Sequence, residues 1–157
     1  MDADLAKRLR ALLEQEVGSL GTLHDGAPFV SMVPFALLPE GAGFLIHVSA
    51  MAAHTRDMLA DPRVSLMIMA ARSTDVPAQA LARVTVQGDA VAIPEDAPVH
   101  AMAKATYLAR FPQSAQTFEL PDFALFAIRP RSLRYVGGFA QAKTITPEGF
   151  AKALAAS

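Results

Sequence analysis

Three strand-length apolar runs occupy residues 18–24, 28–38 and 43–49, parted only by Asp25-Gly26 and Glu40-Gly41. Such dipeptides tolerate the positive φ angles of tight turns, so the runs are expected to pair as an antiparallel meander. Along the middle run, Phe29, Ser31, Val33 and Phe35 share one face, and Val30, Met32, Ala36 and Leu38 share the other. Side chains alternate across a strand, so a run that is apolar on both faces is expected to be covered on both. Residues 63–70, RVSLMIMA, read the same way. In ALARVTVQGDAVAI, Val84 and Val86 oppose Arg83, Thr85 and Gln87, the pattern of a half-exposed strand. FALFAIRPRSLRYV, residues 123–136, is a last strand with an expected break at Pro130, followed by the turn VGGF.

Helical spacing appears at the ends and between strands. Leu5, Leu9, Leu12, Leu13 and Val17 form one stripe behind a capping Asp2 or Asp4, predicting a helix over about 2–17. A short helix is expected at 51–60, ended by Asp61-Pro62. A longer one is expected from Asp96 to Arg110, closed by Pro112, and a small one at 147–155. The predicted class is mostly β: six or so antiparallel strands in a closed or nearly closed barrel with peripheral helices. The 157 residues suit one domain, with the barrel at about 18–139 and a short C-terminal tail.

Composition narrows the function. Cysteine is absent, which removes disulfides, thiolate metal sites and cysteine nucleophiles. Net charge is −1 with no polybasic block, so neither nucleic acid nor membrane is the expected partner. No signal-like N-terminus or apolar run of membrane-spanning length is present, and a cytoplasmic protein is expected. Apolar residues make up 52% of the chain, an excess that suits a buried subunit interface. The four histidines are scattered, and no metal site is expected.

The stretch HVSAMAAHTRDMLADP concentrates polar groups at a strand-to-helix junction. A helix start presents unpaired N–H groups and partial positive charge. Ser49, Thr55, His54 and the Arg56 fork would add donors there, with Ser31 in reach from the neighbouring strand. That is the chemistry a phosphomonoester needs. The bland alternative is a capped surface helix. Ser49, His54 and Asp57 do not make a hydrolase triad, because the G-x-S-x-G elbow is missing.

The ordered segments PFVSMVPF, GFLIHVSAMAAHTRDMLADPRVSLMI, ARVTVQGDA and FALFAIRPRSLRYVGGFAQA resemble the pyridoxamine 5′-phosphate oxidase-like flavoproteins. These are FMN-binding split barrels, and the chain looks most similar to their haem-utilisation branch. The resemblance covers about residues 16–145. It implies a homodimer with FMN at the subunit interface and a small-molecule substrate, hence a flavin-dependent oxidoreductase. It places Ser31, Met32 and Val33 along the flavin ring and His47, Val48 and Ser49 at the ring or ribityl chain. His54 and Thr55 would hold the phosphate with Arg56 adjacent, and Gln87 would reach the flavin of the partner subunit. Deazaflavin or haem are alternative cofactors, and a non-catalytic flavin- or haem-binding protein is the alternative function. No acid or base is assigned. His54 stands where the authentic oxidases carry lysine, and the chain ends soon after GGFAQAKTI. Both departures argue against vitamin B6 oxidation, and the second also against haem degradation.

Overall fold

The computed structural model describes residues 1–138 and 140–156; Phe139, the last residue of the expected VGGF turn, lies outside the described residues. In chain order the elements are α1 (Ala3–Leu12), β1 (Val17–His24), β2 (Ala27–Pro34), β3 (Ala36–Leu37), β4 (Phe44–Ser49), α2 (Ala53–Ala60), β5 (Arg63–Met69), β6 (Arg83–Ile93), α3 (His100–Arg110), α4 (Ala115–Phe118), β7 (Phe123–Val136), β8 (Ala142–Ile145) and α5 (Pro147–Ala155). All strand pairings are antiparallel, in the order β2-β1-β5-β6-β7-β4-β3, with β8 on β7. Because β2 runs through Phe35 into β3, the two ends of this path meet and the sheet curls into a half-barrel. The expected mostly β class holds.

The β1–β2 hairpin turns at Asp25-Gly26, both at positive φ, as the sequence predicts. The expected strand 28–38 divides at Phe35 into β2 and β3. The expected break at Pro130 is absent. Pro130 sits opposite Gly88, where the register of β6 and β7 shifts, so β7 runs unbroken from Phe123 to Val136. Strand β8 was not foreseen.

Inward residues build the main core. Leu20, Val33, Phe35, Phe44, Ile46, Leu66, Val86 and Leu133 fill the barrel, joined by Leu9, Leu13 and Phe150 from α1 and α5. The outward residues Leu45, Leu125 and Ala127 meet Ala103, Tyr107 and Phe111 of α3 in a second core. Strand β4 is therefore buried on both faces, with Phe44, Ile46 and Val48 inside and Leu45 and His47 towards α3. The Arg110 guanidinium donates to the Leu13, Glu14 and Gln15 carbonyls, which ties α3 to the C-terminal end of α1.

The cover expected over the outer face of β2 does not come from the chain itself, since Val30 and Met32 are 68% and 64% exposed. Sequence alternation shows which residues are apolar; it does not show whether the chain itself supplies the cover.

Candidate functional site

Two of the phosphate donors expected at residues 49–56, Ser49 and Thr55, are engaged within the chain. Thr55 is buried, and its Oγ1 donates to the Ser49 carbonyl at 2.6 Å. The Ser49 hydroxyl accepts from Met51 N at 3.1 Å and donates to the Asp122 carboxylate at 3.2 Å. A carboxylate at this point opposes a dianion. Ala52, not Ser49, occupies the N-cap of α2, with no side-chain cap bond. Arg56 is exposed, without a hydrogen-bonded side-chain partner among the described residues. Burial pushes the His54 imidazole below its usual pKa, with Asp57 partly opposing, so its neutral form is favoured. Thr55→Ala is thus expected to cost about 1–2 kcal/mol of stability, by removing the shorter of two hydrogen bonds to the Ser49 carbonyl, which Ala52 N also reaches at 3.1 Å, and leaving a small void. Arg56→Ala should stay within about 0.5 kcal/mol. Urea denaturation of the two variants checks the contrast; equal losses would contradict the assigned roles.

The remaining expected residues do not converge on one surface. Val33 and Val48 are barrel core. Ser31 pairs with Leu20 on the inner face, and its Oγ is buried without a partner among the described residues. Met32 points outward. Gln87 lies far along the outer surface, in a groove of about 540 Å³ with Gly21, Phe29, Ser65 and Ser132. The guanidiniums of that groove are taken: Arg63 by Asp61 at 2.6 Å and Arg131 by Asp89 at 2.7 Å. Hydrogen bonds from Arg63 bring the Asp61 carboxyl down to about 2.

Two clusters were invisible to pattern reading. The first is built on Asp57, which is 5% exposed and accepts from Thr22 Oγ1 at 2.8 Å and from His24 Nδ1 at 2.7 Å. Burial alone would push this carboxyl up. The bonds from Thr22 and His24, with the charges of His24 and His54, outweigh it and hold the group below the usual range. This pins α2 to β1 across more than thirty residues of sequence, a distance that no local signal crosses.

The second cluster surrounds His47. A cavity of about 620 Å³ opens between β4, β7 and α3, lined by His47, Pro94, His100, Lys104, Phe118 and Phe123 among others. That volume lies within the ~300–1,000 Å³ usual for small-molecule and cofactor sites. The His47 ring stacks on Phe118 with centroids 3.8 Å apart and planes 9° apart. Phe123 and Tyr107 approach at 5.3 and 5.7 Å. Burial lowers the His47 pKa to about 4, helped by the positive fields of His100 and Lys104, so the imidazole is neutral near pH 7. The Lys104 ammonium lies 5.3 Å from the Phe118 ring centroid. Of the ten expected residues only His47 lines this cavity. Aromatic neighbours at 107, 118 and 123 were a weak signal, because their helix, turn and strand meet only in the fold.

The sequence profile of the pyridoxamine 5′-phosphate oxidase family matches residues 5–137. The chain belongs to this family. Within it, several of the similar proteins are described by haem. The chloroplastic non-canonical haem oxygenase HOZ of Arabidopsis thaliana is 36% identical over 87% of this chain and 41% of that protein. A haem-binding protein from Mycobacterium smegmatis superposes with a TM-score of 0.81 at 33% identity, over 96% of this chain and 60% of that one. The haem oxygenase HutZ of Vibrio cholerae is 29% identical over 89% of this chain and 85% of its own length. Its crystal structure, described as that of a haem storage protein, gives a TM-score of 0.73 at 25% identity, over 81% of this chain and 91% of that one. The chain thus spans well under two thirds of the first two. These relatives overturn the expectation of an FMN-dependent oxidoreductase, and the engagement of Ser49 and Thr55 within the chain is in keeping with that. Two of the names include an oxygenase activity, which the expectation against haem degradation had set aside. Among the described residues, no helix is long and apolar enough to cross a membrane.

Proposed function

We propose that this protein binds haem, as a homodimer that buries the outer face of β2. The observation that carries the reading is the donor set of the cavity beside α3. Haem requires an apolar slot for the macrocycle, a neutral imidazole for the iron and cations for the propionates. Phe118, Phe123 and Pro94 supply walls, His47 and His100 imidazoles, and Lys104 a cation at one cavity. The 540 Å³ groove lacks an imidazole in its lining, and its cations are paired. Bound haem would supply iron-centred redox chemistry. This chain's residues would seat the ring, hold the iron and exclude water. The exposed Val30 and Met32 on an edge strand support self-association, since such a strand is otherwise open to non-specific pairing.

Titrating purified protein with ferric haem is expected to give a saturable Soret band at one equivalent per chain, with no comparable response to FMN. An unsaturable, free-haem-like spectrum would end the proposal. Oxidative breakdown of the bound haem is the second reading, favoured by the 36% identity to a haem oxygenase. Loss of the Soret band under air with ascorbate, with release of iron to a chelator, would support it.

A further inference from the structure

We infer that His47 is the residue of this chain that ligates haem iron, through Nε2, and that Thr117 is its positioning residue. The inference rests on the haem reading above and deepens it.

The geometry of the hydrogen bonds decides which imidazole nitrogen is free. Thr117 Oγ1 donates its one proton to the Ser114 carbonyl at 2.8 Å. Towards His47 Nδ1, 3.4 Å away, the hydroxyl oxygen can then only accept. The Nδ1 atom therefore carries the ring proton, and Nε2 keeps its lone pair. Ligating histidines usually show this arrangement: one nitrogen donates to the protein and the other is left for the metal. Among the described residues Nε2 has no hydrogen-bond partner, and it is not among the sealed, unsatisfied atoms. It is thus an accessible atom on a residue that lines the cavity.

The ring is also held still. His47 lies on the rigid strand β4, paired with Leu125 of β7, and the parallel Phe118 ring fixes its plane. A rigid element with a locked rotamer is what a first ligand needs. The other histidines are placed less well. The Nδ1 of His24 is bound to Asp57 beside α2, and neither His24 nor His54 lines the cavity. His100 lines it but begins α3 without a side-chain bond that fixes its tautomer among the described residues.

The test is ferric haem titration of the wild type, His47→Gln, His100→Ala and Thr117→Val, read by Soret position, electron paramagnetic resonance and haem-transfer rate. Folding of each variant is checked by circular dichroism. In His47→Gln the wild-type ligand spectrum should disappear and the dissociation constant should rise at least about tenfold, with added imidazole restoring the spectrum. Thr117→Val should keep the ligand type and release haem about tenfold faster, as loss of an outer-shell hydrogen bond does. His100→Ala should keep the wild-type ligand type while weakening binding, since it removes a residue of the cavity lining. A wild type that binds haem while His47→Gln keeps its spectrum would overturn the inference and leave the haem reading standing. The same holds if His100→Ala, not His47→Gln, removes it. A wild type that binds no haem would overturn both. Should His47→Gln fail to fold, Thr117→Val decides, since unchanged release would remove the proposed support.

Discussion

Gly43→Ala is expected to destabilise the protein by roughly 3 kcal/mol or more, a fall of about 6–12 °C in Tm. Gly43 adopts a φ of 141°, a region that side chains rarely enter. A Cβ there would run into the Ile128 carbonyl oxygen. That atom cannot yield cheaply. Ile128 is fully buried and is the ladder partner of Phe44, and the Gly43 carbonyl already accepts from Leu38 N at 2.9 Å. Relief requires β4 to slide against β7, which would also shift His47, four residues beyond Gly43. Gly26→Ala is the control. It has a positive φ of 81° but nothing within 4 Å of the added carbon, so only the backbone cost of about 1–2 kcal/mol applies. Thermal and urea denaturation of both variants separates conformational from steric cost. If the two lose equal stability, the close approach of β4 to β7 is not what makes position 43 intolerant.

That contrast also shows what a sequence can carry. The Asp25-Gly26 turn was readable because its cause is local: two residues that accept positive φ between two apolar runs. The alternation of β6 was readable for the same reason, since Val84 and Val86 face the core and Gln87 faces out. Gly43 was read only as the start of a strand, because the atom that forbids a side chain there lies 85 positions away in β7. The polar stretch 49–56 shows a different limit. Its residue types were right for an anion, but hydrogen-bond capacity is finite. Thr55 had spent its proton on Ser49, and Ser49 faced Asp122, both through contacts that composition does not record. The His47 cavity was hidden because α3 and the start of β7 each read as ordinary helix or strand, and α4 was not foreseen. Only their meeting makes an aromatic box.

Phe118→Ala is expected to raise the His47 titration midpoint from about 4 most of the way back towards 6.5, followed by histidine NMR. Burial is the main cause of the depression, and the stacked Phe118 ring covers one face of the imidazole. The sign for stability follows from proton counting. Between pH 6.5 and 4 the unfolded chain holds a second ring proton on residue 47 and the folded chain does not. The contribution of neutral His47 is therefore complete above pH 6.5 and is lost as pH falls towards 4. The full shift would be worth about 3 kcal/mol. Partial hydration of the ring reduces this to about 1–2 kcal/mol. Asp57 and Asp61, both depressed below the carboxylate value of 3.8, lose their contributions only below that value, so the windows do not overlap. Phe118→Ala has its own packing cost at every pH. The diagnostic quantity is thus the slope of stability between pH 7 and 5, steep in the wild type and flattened in the variant. Identical slopes, with His47 still titrating near 4, would assign the depression to burial by β4 and Phe123 instead. The same aromatic cover that keeps His47 from taking a second proton leaves its Nε2 lone pair available, so the cost of burying an imidazole and its readiness as a ligand have one physical origin.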